Sequence, residues 1–514
     1  DLVRSRGLGD VYKRQLLVAN DRYGFYPLFY LLDANMFIFA SEVKAVLRAS
    51  GKPPVMNKAA IPEFLTFSFL LGDKTFYKNI KSMLPANMLV YDQSQNRLCF
   101  REYWDFTSKH DVGAQEHEPI ESYLKEFKIL MKKAVEQRVH DKENIGVFLS
   151  GGLDSRILAA FASQTHKQVI TFTFGVRGCP QKEIADEVSR RLGVQNIFYE
   201  IPSDFVSNFA EEIVYKGDGL IRIRDCHYIA LLEKVRRKVD TVLLGTFGLL
   251  FGWDRWERAS RLLSLNSKAE VTNYLLRHYT TVLPLEEHSK AFDELFYDET
   301  RDVVRRNFAQ TVDQIDFDLA IDIADYWTYR NHQPKYTFLT FQFMNWYLET
   351  RHPFLDNDLV DYFAFRLPPK LRIDKRFLQK AVNYCCPSLS DIPLEHEGVP
   401  PDSHPLKYSF ATIRRFLKRV SRRNVERLSH GKYSIFKHDY RDYGSWLRTG
   451  SRTYVLDVLL NPKTLEREYF KRDYIERIVK EHMSARKNHD QILCDLTNLE
   501  LMSRIFFDVK TNKT

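Results

Sequence analysis

The sequence has few cysteines, and their number and spacing argue against a zinc site and a disulfide framework. Six cysteines occur among 514 residues, and none of them forms a C-x-x-C pair of the kind that binds zinc. Cysteines this sparse in so long a chain indicate reduced thiols, since disulfide frameworks are dense in cysteine. We therefore expect a cytoplasmic protein without a structural metal held by thiolates.

Long hydrophobic runs and a strong charge bias are also missing. No apolar run reaches the roughly 18 residues of a membrane span, and no secretory signal precedes the first domain. Polyanion binding would explain the formal charge of +9, but we favour an enzyme with small anionic substrates. A basic helical face at 414–427 lacks a stacking platform, and we interpret it as solvated. We expect neither nucleic acid nor membrane as a partner.

The chain divides by composition into four parts. Residues 1–15 contain no Met and no hydrophobic period, and they resemble translated sequencing-adapter residue. We expect them to be non-native, which would mean that the true N-terminus is missing. Residues 16–105 are rich in short apolar strands and turns. A polar stretch at 106–120 predicts a linker, and residues 121–514 form the largest part.

Strands and helices alternate in the first half of the largest part. The predicted elements are a helix at 121–140, a buried strand that ends at Ser150, strands at 169–175, 196–201 and 240–244, and helices at 181–192 and 226–238. This alternation with helical connections predicts a parallel sheet. Beyond about residue 260 the pattern is mostly helical.

The sharpest segment is Ser150–Ser155, which reads S-G-G-L-D-S between the buried strand and a helix. Two glycines there let the backbone approach a bulky anion, and unpaired N–H groups at the helix start favour phosphate. Both serine hydroxyls can donate further hydrogen bonds. Asp154 would repel phosphate unless a divalent cation lies between them, so it predicts a Mg²⁺ ligand. The alternative interpretation is a glycine turn that only caps a helix.

Several motifs resemble one enzyme family. The Walker pattern is absent, and Ser150–Ser155 instead matches the pyrophosphate loop S-G-G-x-D-S of the ATP pyrophosphatases. Asp21–Leu28 and Phe39–Glu42 look like the end of the glutaminase domain of glutamine-dependent asparagine synthetases. Thr171–Gly175 is similar to the second synthetase strand of that family, and Glu349–Asp356 resembles its E-x-R-x-P-F-L-D segment. The resemblance extends from residue 16 to about residue 505.

This resemblance implies an α/β fold. A parallel-sheet adenine-nucleotide-binding domain (PP-loop, HUP-like) with a helical C-terminal part would follow a partial α+β glutaminase domain of the Ntn type. The resemblance also implies ATP and Mg²⁺, with Asp154 as metal ligand and catalytic residue, and a substrate pocket at Glu349, Arg351 and Asp356. The residues implied at the nucleotide are Leu149, Ser150, Gly151, Gly152, Leu153, Asp154, Ser155, Phe174, Leu244 and Gly245.

Two segments depart from the family pattern. The family uses an N-terminal Cys as its glutaminase nucleophile, whereas the first cysteine here is Cys99. We expect no glutaminase activity from the chain as given, and we favour truncation as the cause. After its fourth strand the family carries S-G-x-G-x-D-E-x-F-G-G, but this chain has lost the acids. Thr246 stands at the position of the general base and Leu249 at that of a Mg²⁺-binding Asp, and Asp254 has the wrong offset to replace them.

The sequence therefore predicts an enzyme that forms amides. A carboxylate, aspartate by default, would attack the α-phosphate of ATP and release pyrophosphate, and ammonia from glutamine or an amine would then displace AMP. Two alternatives stay open because of the altered loop. One is a divergent ATP-binding protein with little turnover, and the other is an amide ligase for a sugar acid or a peptide. A homodimer also stays open.

Overall fold

The structure is a computed structural model that describes most of the chain. The described residues are 6–10, 14–34, 36–105, 118–166, 168–245, 261–368, 371, 376–395, 398–401, 403, 407, 410–411, 413–414, 417, 420–421, 425 and 440–508. Within these ranges, no helix combines the length and the apolar character that a membrane crossing requires.

The N-terminal part contains two antiparallel sheets and two short helices. One sheet has the order β1-β2-β6-β7, and the other has the order β4-β3-β5. The strands are β1 (Arg6–Asp10), β2 (Gln15–Ala19), β3 (Phe29–Leu32), β4 (Phe37–Ala40), β5 (Lys81–Ser82), β6 (Asn87–Asp92) and β7 (Arg97–Glu102). The helices are α1 (Val43–Ser50) and α2 (Ala60–Phe67).

Strand β1 lies inside the stretch 1–15 that the sequence analysis set aside. It pairs antiparallel with β2, so that Leu8 stands opposite Leu17. The sequence did not predict this strand, because R-G-L-G-D has a single large apolar residue and two glycines. Ladder pairing needs only backbone N–H and C=O groups, and it therefore does not depend on the side chains of β1.

The largest part is built on a parallel sheet of five strands with the order β10-β9-β8-β11-β12. Its strands are β8 (Ile145–Phe148), β9 (Val169–Gly175), β10 (Gln195–Glu200), β11 (Thr241–Leu243) and β12 (Glu349–Arg351). The helices that connect or precede them are α3 (Ile120–Val139), α4 (Leu153–Thr165), α5 (Pro180–Leu192), α6 (Phe205–Lys216) and α7 (Ile229–Arg236).

Both faces of this sheet are covered, as in parallel sheets generally. Val147 and Leu243 belong to one buried hydrophobic cluster, and Phe172 and Val242 belong to another. The chain moves outward from β8 to β10 and then returns to place β11 on the other side of β8. The order of the strands thus reverses between β8 and β11, and open α/β sheets bind ligands at such a point.

Beyond the sheet the chain is helical, as the sequence predicts. The α-helices of this part, within the described residues, are Lys268–Tyr279, His288–Ala291, Glu294–Thr300, Val303–Asp313, Ala320–Trp327, Leu339–Gln342, Asn357–Asp361, Arg376–Cys385, Tyr443–Trp446, Arg452–Leu459, Pro462–Leu465, Arg472–Met483 and Asp490–Met502. A π-helix at Thr328–Phe338 contains Pro334, which has no N–H to donate. This segment packs on the N-terminal part, where Gly72 N donates to Asn331 Oδ1.

Asp218 joins the parallel-sheet part to the N-terminal part. It lies in the turn after α6, is 3% exposed and has a left-handed φ of 55°. Its carboxylate accepts hydrogen bonds from Val43 N (2.7 Å) and Lys44 N (3.1 Å), and from Lys44 Nζ (3.3 Å). The N-cap residue Glu42 makes no side-chain hydrogen bond to the helix. Asp218, from the parallel-sheet part, accepts from the first N–H groups of α1 instead. Burial raises the pKa of Asp218 to about 6, although Lys44 opposes this shift.

This raised pKa predicts a pH dependence of stability. The folded state holds the Asp218 proton more tightly than the unfolded chain, so protonation between about pH 6 and pH 4 favours folding. The unfolding free energy of the wild type, minus that of Asp218→Asn, should grow by about 1 kcal/mol from pH 7 to pH 5. Denaturant titrations at both pH values measure this difference. A wild-type advantage in unfolding free energy that shrinks from pH 7 to pH 5 would contradict the prediction. Asp298→Asn, which removes an exposed carboxylate, is the control and should show no such change with pH.

Candidate nucleotide site

The loop between β8 and α4 is shaped by its glycines and serines. Gly151 has a φ of 82°, which L-residues with a side chain rarely adopt, and Gly152 is the extended N-cap of α4. Ser155 Oγ accepts a hydrogen bond from Ser150 N (3.2 Å) and lies 3.1 Å from Ser150 Oγ. Ser150 Oγ also accepts from Gly152 N at 3.3 Å. The hydroxyls of Ser150 and Ser155 thus accept hydrogen bonds from the N–H groups of Gly152 and Ser150. A bound anion could accept from these N–H groups in their place.

Gly245 lies directly against this loop. It follows β11, and a Cβ atom at this position would come within 3.0 Å of Ser155 N and 3.2 Å of Asp154 Cβ. The carboxyl ends of β8 and β11 therefore meet where the strand order reverses. Leu244 leads into this contact, and its N–H donates to Arg351 O at 3.0 Å. Thr246 lies outside the described residues.

We predict that Gly245→Ala weakens nucleotide binding. The new methyl group would meet backbone atoms of Asp154 and Ser155, which cannot rotate away as a side chain can. Such overpacking costs about 1–3 kcal/mol, so the ATP affinity should fall about tenfold. Isothermal titration calorimetry measures this change. Gly51→Ala places its methyl group in open space and should keep the wild-type affinity, and unchanged binding by Gly245→Ala would refute the role of this contact.

Phe174 lies beside the loop on the other side of β8. Leu149 N donates to Phe172 O (2.9 Å), and Thr173 Oγ1 donates to Leu149 O (2.9 Å), so β9 accompanies β8 up to the loop. The ring of Phe174 packs edge-on against Phe148, with ring centroids 5.7 Å apart. The backbone of Phe174 is therefore at the same edge of the sheet as Ser150.

The chemistry of the loop fits a magnesium ion that arrives with phosphate. Asp154 is the acidic residue in the first turn of α4 and is half-buried. Within the part of the chain that the structure describes, no group of three or more His, Cys, Asp or Glu side chains could hold a metal ion. Mg²⁺ commonly binds through one or two carboxylates together with phosphate oxygens and water. Asp154 can thus serve as such a ligand only when a nucleotide supplies other oxygens.

The side chains of Glu349, Arg351 and Asp356 bind groups at or just after the end of α3, although the Arg351 carbonyl accepts from Leu244 N. Glu349 stands in register with Thr241 and Ile145, at the amino ends of the strands, and Lys142 Nζ lies 2.8 Å from its carboxylate. Arg351 donates to Arg138 O (2.7 Å) at the end of α3.

Asp356 also contacts the end of α3. It lies 3.0 Å from Arg138 and caps the helix Asn357–Asp361. A hydrogen bond from Arg351 lowers the pKa of Asp141, which belongs to the same group of side chains. These contacts join the end of α3 to β12 and to the segment after it, and the substrate pocket at the three residues stays a prediction.

Two groups of residues near the loop were missed by the sequence analysis. Arg156 is fully buried one residue after the motif and donates to Gly151 O (3.1 Å). The second group surrounds Phe174, whose ring centroid is 5.5 Å from that of His227. Burial lowers the pKa of His227 to about 3, so this imidazole is neutral. The run R-I-R-D-C-H at 222–227 was a signal for this group.

Buried ion pairs continue from His227 into the helical part. Arg222 binds Asp495 and Asp225, with 3.0 Å for each N···O pair. Arg441 lies 3.8 Å from the carboxylate of Asp225. Arginine side chains therefore stand close to the edge of the sheet that carries the loop, and acidic partners compensate their charge.

The parallel sheet and the S-G-G-x-D-S loop at its carboxyl edge define an α/β nucleotide-binding domain of the PP-loop kind. Comparison with known families agrees: the model for asparagine synthase matches residues 126–390. The model for a glutamine amidotransferase domain matches residues 7–104. The chain belongs to the asparagine synthase family, as the sequence motifs predicted.

Individual relatives are distant. Asparagine synthetase (glutamine-hydrolyzing) 1 of Bacillus subtilis is 24% identical over 271 residues, which cover 52% of this chain and 42% of the relative. Asparagine synthetase (glutamine-hydrolyzing) 3 of the same organism is 29% identical over 157 residues, or 29% of this chain and 24% of the relative. The chain thus spans less than half the length of these relatives.

A solved structure also resembles part of the chain. The NMN synthetase from Francisella tularensis is 15% identical, with a TM-score of 0.22, and the match covers 43% of this chain and 97% of that protein.

Proposed function

We propose that this chain binds ATP with Mg²⁺ at Ser150–Ser155 and uses it to convert a carboxylate into an amide. Aspartate is the default carboxylate, and glutamine is the default source of ammonia. The observation that carries the proposal is the loop itself, which follows β8 at the point where the strand order reverses and in which Gly151 has a left-handed φ of 82°. We also propose the division into a glutaminase part at 16–105, a linker at 106–120 and an ATP pyrophosphatase part at 121–514.

The described residues suit the first half of this reaction. A substrate carboxylate oxygen attacks the α-phosphorus, the bond to the bridging oxygen of the β-phosphate breaks, and pyrophosphate leaves. The N–H groups at the start of α4 and the hydroxyls of Ser150 and Ser155 can bind the phosphates, because an anion can replace the internal bonds of the loop. A magnesium ion on Asp154 would neutralise part of the pyrophosphate charge.

The second half of the reaction forms the amide. The nitrogen of ammonia or of an amine attacks the acyl carbon, the bond from that carbon to the AMP oxygen breaks, and the nitrogen loses a proton. A general base accelerates such a step by about 10²–10⁴-fold. Because Thr246 replaces the family acid, we expect slower chemistry here than in relatives that keep the acid.

One specific observation supports a second candidate function. The segment Leu244–Trp253 lacks the family acids, so the chain is also suited to bind ATP with little turnover. A third candidate keeps the chemistry but acts on a sugar acid or a peptide.

Exchange of labelled pyrophosphate into ATP distinguishes the three candidates. Exchange that depends on aspartate supports the first function, and exchange that depends on another acid from a panel supports the third. ATP binding without exchange for any acid supports the second.

A further inference from the structure

Arg156 is a charged side chain on the buried part of α4. It follows the six-residue motif directly and has 0% exposure. Its guanidinium donates to four backbone carbonyls, which are Gly151 O (3.1 Å), Leu389 O (3.2 Å), Ile392 O (2.8 Å) and Pro393 O (2.8 Å). Three of these acceptors belong to one distant segment, and the fourth belongs to the loop. Arg156 therefore connects the loop to residues 389–393.

The bond to Gly151 O fixes one peptide group of the loop. In a trans peptide, the C=O of one residue and the N–H of the next point in opposite directions. Since the Gly151 carbonyl points inward to the buried guanidinium, the Gly152 N–H points outward. It donates to Ser150 Oγ (3.3 Å), and Ser150 is exposed. Because neither Gly151 nor Gly152 has a side chain that restricts rotation, the hydrogen bonds of Gly151 O and Gly152 N–H hold this peptide.

The segment that Arg156 binds lies against the same loop. A Cβ atom on Gly151 would come within 3.9 Å of Glu395 Cβ. Helix α5 holds this segment from the other side: Gln181 Nε2 donates to Glu395 Oε1 (2.5 Å), and Arg191 donates to Ser388 O (2.7 Å). The carbonyls that Arg156 binds are thus held in place independently, which fixes the guanidinium itself.

We propose that Arg156 is a positioning residue that holds the Gly152 N–H toward the phosphate of the bound nucleotide. This inference rests on the proposed function, because it assumes a nucleotide at the loop. Arg156 would not contact the nucleotide. It would act through the Gly151–Gly152 peptide, so its removal should weaken phosphate binding and leave the binding of the nucleoside unchanged.

The test is calorimetric titration of the full chain with ATP and with adenosine, which has no phosphate. Arg156→Met should weaken ATP binding at least about tenfold, the loss typical of a charge-assisted hydrogen bond, and change adenosine binding less than about twofold. Arg156→Lys keeps the charge but has a single ammonium nitrogen in place of the planar guanidinium, and its ATP affinity should be intermediate. If Arg156→Met does not fold, Arg156→Lys alone should still lower the ratio of ATP affinity to adenosine affinity.

Arg467→Met is the matched control. Arg467 is also largely buried, but it pairs with Glu500 and Asp508, far along the chain from the loop. This variant should lose thermal stability and keep the ATP affinity of the wild type. Equal weakening of ATP and adenosine by the Arg156 variants would overturn the inference, and so would unchanged ATP binding. If the wild type does not bind ATP, the proposed function fails and the inference fails with it.

Discussion

Replacing Asp154 by Asn is expected to abolish the effect of Mg²⁺ on ATP binding. Asp154 lies in the first turn of α4 beside Gly245, and within the described residues no larger group of acids could hold the metal in its place. The amide has almost the same shape, so the loop should keep its conformation and the variant should bind ATP equally with and without Mg²⁺. The wild type should bind ATP more tightly with Mg²⁺, because the metal offsets the repulsion between Asp154 and phosphate.

Calorimetry of both proteins with and without Mg²⁺ measures this effect. Asp186→Asn makes the same chemical change on α5, where the carboxylate binds Lys182 and Asn196, and should leave the effect of Mg²⁺ intact. If Asp154→Asn still gains affinity from Mg²⁺ as the wild type does, then Asp154 is not the metal ligand.

Replacing Gly151 by Ala is expected to weaken ATP binding about 100-fold. The residue has a φ of 82°, which an L-residue adopts only with strain, and the new Cβ would come within 2.8 Å of Ile184 Cγ2. Strain of about 1–2 kcal/mol and overpacking of about 1–3 kcal/mol together favour a different loop conformation. The N–H groups of that conformation would no longer converge on phosphate.

A control variant introduces backbone strain at a site away from the loop. Gly193 has a φ of 69° at the end of α5, with nothing within 4 Å of the added Cβ. Gly193→Ala therefore introduces similar backbone strain without a clash, and it should lose stability but keep the ATP affinity of the wild type. ATP affinity of Gly151→Ala within a few-fold of the wild type would contradict the assignment of this loop.

The sequence predicted the elements whose own residues have a strong preference for strand or helix. Strand β9 lies at Val169–Gly175, as predicted, because the run V-I-T-F-T-F is apolar and rich in β-branched residues before a terminal glycine. Helix α5 begins at Pro180, one residue before the predicted start. These elements depend mainly on local propensity and on burial, which the sequence shows directly.

Other elements depend on contacts between distant residues. Strand β12 is only three residues long and polar, and it is extended because it pairs with β11. The helix predicted at 226–238 is shorter, and a 3₁₀ turn at Ile223–Asp225 precedes it. The ion pairs of Arg222 and Asp225 hold this turn, and the sequence does not show which partners they find.

The same distinction applies to the site. Ser150–Ser155 and Gly245 were found by their motifs, and the structure brings them together. The side chains of Glu349 and Arg351 lie elsewhere because a motif gives the position of a residue but not the direction of its side chain. Arg156 was missed because its hydrogen bonds reach carbonyls more than 230 residues away in the chain.

Equilibrium binding of ATP to the full chain, with Mg²⁺ present, tests the central claim most directly. The account predicts saturable binding that inorganic pyrophosphate displaces and that Gly151→Ala loses, since the phosphates bind at the loop. Absence of ATP binding by the wild type, or binding that Gly151→Ala and pyrophosphate leave unchanged, would contradict the account.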